Sequence, residues 1–375
     1  MRRFLLLAVI ALGVLALAAG VWLFATRSAA PAIIRDERQK NIAWECPPEV
    51  RGGELALYNW SDYIGEHTIS DFELLCGVTV TQDFYDTNET LLARLREGNP
   101  GFDVAFPNDY MVRVLIEEGL LLPITRENVP NLREVDGRWL GMNYDPQNAY
   151  SVPYLWSSFG IGYRTTAFPQ GIQSWEQVFA HEGPVNWIAD QRGMFAIALA
   201  MLGYDPNSVE PAEIRAAYDY LLAHSANVQA LTGGEPAPLV SGEADAILTY
   251  NAEIYNLILE CACEDYAYSV PDEGSIVDVT AAVILKGARN PRLAEAFIDY
   301  LHDPFVAASI SNDTAYATTN EEAISAQMVK AELLNNPAVY LPPKAMQTVF
   351  FLQPVTQAEQ SYNDAWDELR IALGQ

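Results

Sequence analysis

Short apolar runs of strand length alternate with stretches of helical period along most of this chain, which restricts it to architectures in which helices cover a sheet of neighbouring strands. The first example is Leu55-Ala56-Leu57-Tyr58, followed by residues 69–75 (ISDFELL), with Phe72 on the apolar face, and then by Val78-Thr79-Val80. Residues 91–97 predict a second helix, stopped by Gly98 and Pro100, and Phe102-Asp103-Val104-Ala105-Phe106 predicts a buried strand ending at Pro107. This β-α-β order predicts a largely parallel sheet.

The pattern starts again beyond Tyr150. Residues 151–156 and 161–163 are extended, and Ser174-Trp175-Glu176-Gln177 fits a helix N-cap and first turn. A strand at 186–189, helices at 193–202 and 211–224 and a strand at 246–249 complete a second unit. A strand at 281–285 and a helix at 291–301 then resemble the first unit, and the chain ends in an amphipathic helix at 357–373. With 375 residues, half of them apolar, there is material for two globular units.

Against 22 Lys and Arg stand 49 Asp and Glu, a formal charge of −27. Such a chain repels nucleic-acid phosphate and attracts cations, so nucleic acid is excluded as a partner; most of the charge solvates the surface. Arg2 and Arg3 precede an uncharged apolar run over residues 4–25, which implies export. At about 1.5 Å per residue that run spans roughly 33 Å, enough for a membrane anchor, while Ala16-Leu17-Ala18 offers a signal-peptidase site; both readings stand. Residues 1–27 are thus a signal peptide or anchor, and 28–53, with Pro31, Pro47 and Pro48 and no periodicity, read as a linker.

Cys46, Cys76, Cys261 and Cys263 contain no metal-binding or thioredoxin-like C-x-x-C pair, and the sequence leaves their disulfide state open. His67, His181, His224 and His302 fall in polar segments and read as surface residues, so no metal site is expected. There is no G-x-S-x-G elbow and no P-loop, and His181-Glu182 lacks the spacing of a metalloprotease helix. Gly160-Ile161-Gly162 lacks the third glycine of a dinucleotide site and reads as a flexible crossover, so no cofactor is expected. The chain is read as a binding protein and not as an enzyme.

Tyr58-Asn59-Trp60-Ser61-Asp62-Tyr63 directly follows the first strand, at the carboxyl end of a parallel sheet where α/β proteins place ligands. This segment resembles the Y-N-W-[ST]-[DE]-Y stretch of the bacterial spermidine/putrescine-binding proteins. The likeness continues through residues 85–90 (YDTNET), 151–156 (SVPYLW) and 271–274 (PDEG), and covers about residues 55–373. It implies an α/β, two-lobed type II periplasmic-binding-protein fold with a hinge and an interlobe ligand cleft. Residues 54–158 with 279–324 would form lobe 1, and 159–278 with 325–375 lobe 2. It also implies an exported, periplasmic or extracytoplasmic protein that delivers a small cationic amine to an ABC transporter permease.

Carried over position by position, the resemblance assigns ligand contacts to Trp60, Ser61, Asp62, Tyr63, Tyr110, Asp190, Tyr250 and Tyr316. Aromatic rings pack the methylenes of a polyamine and attract its ammonium groups, while carboxylates fix the ends. Each residue also has a plainer role: Trp60 as core, Asp190 as a helix N-cap, Tyr250 as strand-end packing. Asn88 and Glu89 read as caps of the helix beginning at Thr90. The chain departs from the family at Gly193, where a second acid is common, and at Asp278 and Thr280, where the family has Trp and Asp. Asp278 therefore joins the candidate set, and the altered acids point to a putrescine-like ligand with few cationic centres. A tethered ligand sensor using the same clamp, or a binder of another small amine or amino acid derivative, is the alternative.

Overall fold

The computed structural model describes residues 37–61, 63–342 and 344–375. Gln39–Asn41 form a 3-10 turn, and the compact body runs from Ile42 to Gln375. The apolar run 4–25 and Asp62 lie outside the described residues. No helix among the described residues is long and apolar enough to cross a membrane.

The chain begins with β1 (Glu54–Asn59), α1 (Thr68–Cys76), β2 (Thr79–Phe84), α2 (Asn88–Arg96), β3 (Val104–Ala105), α3 (Asp109–Glu117) and β4 (Leu121–Leu122). It continues through β5 (Ser151–Arg164), β6 (Val185–Ile188), α4 (Gln191–Met201), α5 (Pro211–Ala223), β7 (Val228–Thr232), β8 (Ala246–Tyr250) and α6 (Asn251–Cys261). β9 (Tyr266–Ser269), β10 (Val277–Leu285), α7 (Pro291–Leu301), α8 (Pro304–Thr314), β11 (Ala317–Thr318) and α9 (Glu359–Ala372) complete it. The strand order β2-β1-β3-β10-β5-β8-β6-β7 makes one continuous path through two lobes, each with its own core.

The parallel expectation holds for two sets of strands, β1 with β2 and β3, and β6 with β7 and β8. Between them it fails: β10 is antiparallel to β3 and β5, and β5 is antiparallel to β8. The reason is topological. β5 carries the chain from the first lobe to the second and β10 brings it back, so the two run in opposite directions.

The segments 151–156 and 161–163 are one strand of 14 residues, buried at every position but the last. Its glycines mark close packing rather than a flexible crossover. A Cβ at Gly160 would stand 2.5 Å from the Ser269 carbonyl oxygen, and one at Gly162 would overlap Ile254 Cδ1. Beside β5 run two further crossings. Phe159 N donates to Ile276 O (3.0 Å), Phe350 N to Ser275 O (2.9 Å) and Val277 N to Phe350 O (3.1 Å). The third crossing comes later than residue 325 because Val329, Leu333, Val339 and Leu341 pack in the first core, while Leu352, Trp366 and Leu369 pack in the second.

Residues 42–50 are not a loose tether. Ile42, Trp44, Cys46 and Val50 are buried; Trp44 sits 5.6 Å from the Phe72 ring and 5.3 Å from Tyr300, and its Nε1 donates to Asp299 Oδ2 (2.8 Å). Cys46 is bridged to Cys76 at the end of α1, and Cys261 to Cys263 at the exposed end of α6. His302 likewise departs from the surface reading. It is buried, with Nδ1 against Ile298 O (2.7 Å) and Nε2 against Pro153 O (2.8 Å), so it ties α7 to β5. The α2 cap is Thr87, whose Oγ1 accepts from Thr90 N (3.0 Å), which leaves Asn88 and Glu89 free for other partners.

Candidate ligand-binding site

The loop after β1 supplies an aromatic wall. Trp60 is held at both ends: its backbone N donates to Asn59 Oδ1 (2.9 Å) and its indole Nε1 to Phe106 O (2.8 Å) at the end of β3. Its ring lies 4.6 Å from Tyr85 and 6.1 Å from Tyr63, and Tyr63 in turn lies 4.3 Å from Tyr316, just past α8. Tyr154 on β5 donates its hydroxyl to Tyr63 O (2.9 Å), so the wall is pinned to the spanning strand. Burial pushes the Tyr63 phenol up to about 12, against hydrogen bonds from Tyr316 and Thr280 that favour its ionised form.

Facing this wall is a set of acids with little to neutralise it. Asp278 on β10 is 2 % exposed; the Tyr250 hydroxyl and Asn108 hydrogen-bond its carboxyl, yet Oδ1 has no partner. Burial, aided by the negative charge of Asp190, pushes Asp278 up to about 7. Asp190 Oδ1 accepts from Gly193 N (3.1 Å), so it does cap α4. Burial nonetheless raises Asp190 above the usual carboxylate range, and nearby Glu89 adds to the effect. Glu89 accepts from the Tyr110 hydroxyl (3.0 Å), and Tyr110 packs against the second lobe's core from the first lobe's α3. Tyr250 is raised by burial first, and then by Asp278 and Asp190.

Of the residues expected from sequence, Trp60, Tyr63, Tyr110, Asp190, Tyr250, Asp278 and Tyr316 form this linked cluster, with both lobes contributing. Ser61 is exposed in the turn beside it. Sequence reasoning missed Asp109, a buried acid raised by burial and by Asp278, and Tyr85, whose ring packs at a tilt against Trp60. Both could have been found: Tyr85 opens a matched motif, and Asp109 lies just beyond a strand's carboxyl end, beside Tyr110. Glu89, expected as a helix cap, instead faces the cluster. No group of three or more His, Cys, Asp or Glu among the described residues is arranged to hold a metal ion. Buried carboxyls lined by aromatic rings are suited to desolvating an alkyl ammonium and pairing its charge.

Known proteins resemble this chain over most of its length. The family model described as bacterial extracellular solute-binding protein matches residues 68–338. The spermidine/putrescine-binding periplasmic protein 1 of Haemophilus influenzae is 30% identical over 84% of this chain and 88% of its own length. A putrescine/agmatine-binding protein of Pseudomonas aeruginosa is 32% identical over 84% of this chain and 91% of its own. Among solved structures, a Listeria monocytogenes protein assigned to spermidine/putrescine ABC transport superposes with a TM-score of 0.79 at 30% identity, covering 85% of this chain and 99% of its own.

Proposed function

The chain belongs to the bacterial extracellular solute-binding protein family, and from that premise we propose that it takes up a diamine or related small cationic amine between its lobes and delivers it to an ABC transporter permease. The observation that carries the ligand class is Asp278: a buried carboxyl, with one oxygen unpartnered, among aromatic rings and further acids. An anion or a sugar offers that carboxyl no counter-charge, whereas an ammonium pairs with its ionised form.

Trp60, Tyr63, Tyr110, Tyr250 and Tyr316 are read as packing the alkyl chain, with Asp190 and Asp278 anchoring its cationic ends. Ser61 and Asp62 are read as further ligand contacts on the strength of the family resemblance. Gly193 and Thr280 replace acids of the family, which supports a putrescine-like ligand over spermidine. The clamp is read as a carrier without catalytic chemistry. The run at 4–25 is its export segment, and its length supports retention as a membrane anchor. First-lobe residues before Ser157 and after Val277, and second-lobe residues between those points together with α9, are read as the two rigid bodies.

A thermal-shift screen tests the ligand class, since a ligand that binds only the folded state raises stability by RT ln(1 + [L]/Kd). Putrescine, cadaverine or agmatine should raise the melting temperature, and sugars and simple anions should not. A sugar response without an amine response refutes the reading.

A further inference from the structure

The carboxyl of Asp109 has no part in the site as read from the sequence, yet the fold brings it to Asp278. Pro107 O accepts from Ala281 N (3.0 Å) and Asn108 pairs with Thr280 as an antiparallel bridge. Asp109 is the next residue, opening α3, and Asp278 is two residues before Thr280 on β10. Each is 2 % exposed. Asp109 Oδ1 accepts from Tyr110 N (2.7 Å), and Asp278 Oδ1 is buried without a partner.

The groups that act on this pair come from every side. Asn108 and Tyr250 hydrogen-bond Asp278; Asp190, at the start of α4, acts on it as a like charge. Tyr63 faces Asp278 from the loop after β1, and Tyr144 faces Asp109. Glu253 on α6 reaches Tyr63. The charged groups among these are all acidic. Buried carboxyls that repel one another do not all ionise without a counter-charge.

Resting on the reading of the cleft as an amine site, we infer that Asp109 and Asp278 together seat one cationic end of the ligand, and that in the ligand-free protein the pair holds a proton which the arriving cation replaces. Binding is then an exchange: a proton leaves the carboxyl pair for solvent as the ammonium takes its place, and no covalent bond between heavy atoms changes. Burial moves both groups in the direction this requires, and the like charge of Asp278 adds to it at Asp109. The seat would discriminate by charge state, because a neutral amine or alcohol of the same shape could not drive the proton out.

The test is calorimetry of putrescine binding in buffers of different ionisation enthalpy, at pH 6.5 and 8.0. The full-length protein should release about one proton per ligand at pH 8.0 and no fewer at pH 6.5, since the second carboxyl of a coupled pair stays protonated well above the first. The isosteric Asp109→Asn should still bind putrescine and release a proton at pH 6.5, but release almost none at pH 8.0, where its single remaining carboxyl is already ionised. Asp109→Asn/Asp278→Asn should release none and bind more than about tenfold more weakly. Proton release at pH 8.0 unchanged in Asp109→Asn overturns the shared seat, as does wild-type affinity in the double variant. Carbon-13 titration of the ligand-free protein keeps the outcomes apart. Independent titration of both carboxyls near the ordinary range, with diamine binding intact, overturns the proton exchange alone; failure of any diamine to bind overturns the amine reading itself.

Discussion

Single residues decide whether the cluster reads as core or as binding surface. Trp60 has features of both, being half-buried against Tyr85 yet tied to backbone by its indole nitrogen. Trp60→Ala should weaken putrescine binding by about 1 to 3 kcal/mol while the ligand-free melting temperature moves little, whereas a true core tryptophan would cost about 3 to 5 kcal/mol of stability; calorimetry beside melting separates the two. Asp278 gives a pH signature. Its folded pKa, about 7, lies above the ordinary carboxylate value, so the fold favours the neutral acid. That contribution is complete below about pH 4 and is lost as pH rises through about 7. The ligand-free melting temperature should therefore fall between pH 5 and pH 8, and Asp278→Asn should flatten that slope; the same slope in both proteins would show that Asp278 does not titrate there. The acid-for-tryptophan exchange at this position was legible in the sequence. Its neighbour Asp109 was not, because the two are 169 positions apart and only the Asn108–Thr280 bridge brings them together.

Elements are legible in the sequence wherever a single lobe determines them. The helices α1, α5, α7 and α9 lie within about two residues of their sequence periodicity, which is the usual margin for helix ends. Periodicity fails where burial is two-sided, since β5 and β10 are buried almost throughout and their length depends on partners in both lobes. At this scale Gly160→Ala should destabilise by about 1 to 3 kcal/mol, because the added methyl meets the β9 backbone at Ser269. Chemical denaturation measures it; a neutral effect would mean that β9 can withdraw without loss. The N-terminal segment is a second case. Proline and scattered charge suggest a linker, but Trp44 and the Cys46–Cys76 bridge bind it to α1 and α7. The double variant Cys46→Ser/Cys76→Ser should lose about 3 kcal/mol of stability, with putrescine affinity preserved in the molecules that remain folded.

At the scale of the whole molecule, the three adjacent crossings at Phe159, Ile276 and Phe350 define where the lobes can bend. Putrescine at saturation should lower the radius of gyration in solution scattering, by the hinge closure with which periplasmic binding proteins enclose their ligands; an unchanged radius would argue against a clamp. The two-lobed design itself was visible in the repeated alternation of strand and helix, although the return of the chain to the second lobe could not be placed without knowing which core takes Val339 and Leu341. The crossings also govern the order in which the protein can be born. The first lobe lacks β10, α7 and α8 until the chain has been made past Thr314, and the second lacks α9 until its last turn has emerged. A ribosome therefore releases most of this polypeptide before either core can close, and a chain bound for the outside of the cell stays threadable through a secretion channel for nearly the whole of its synthesis.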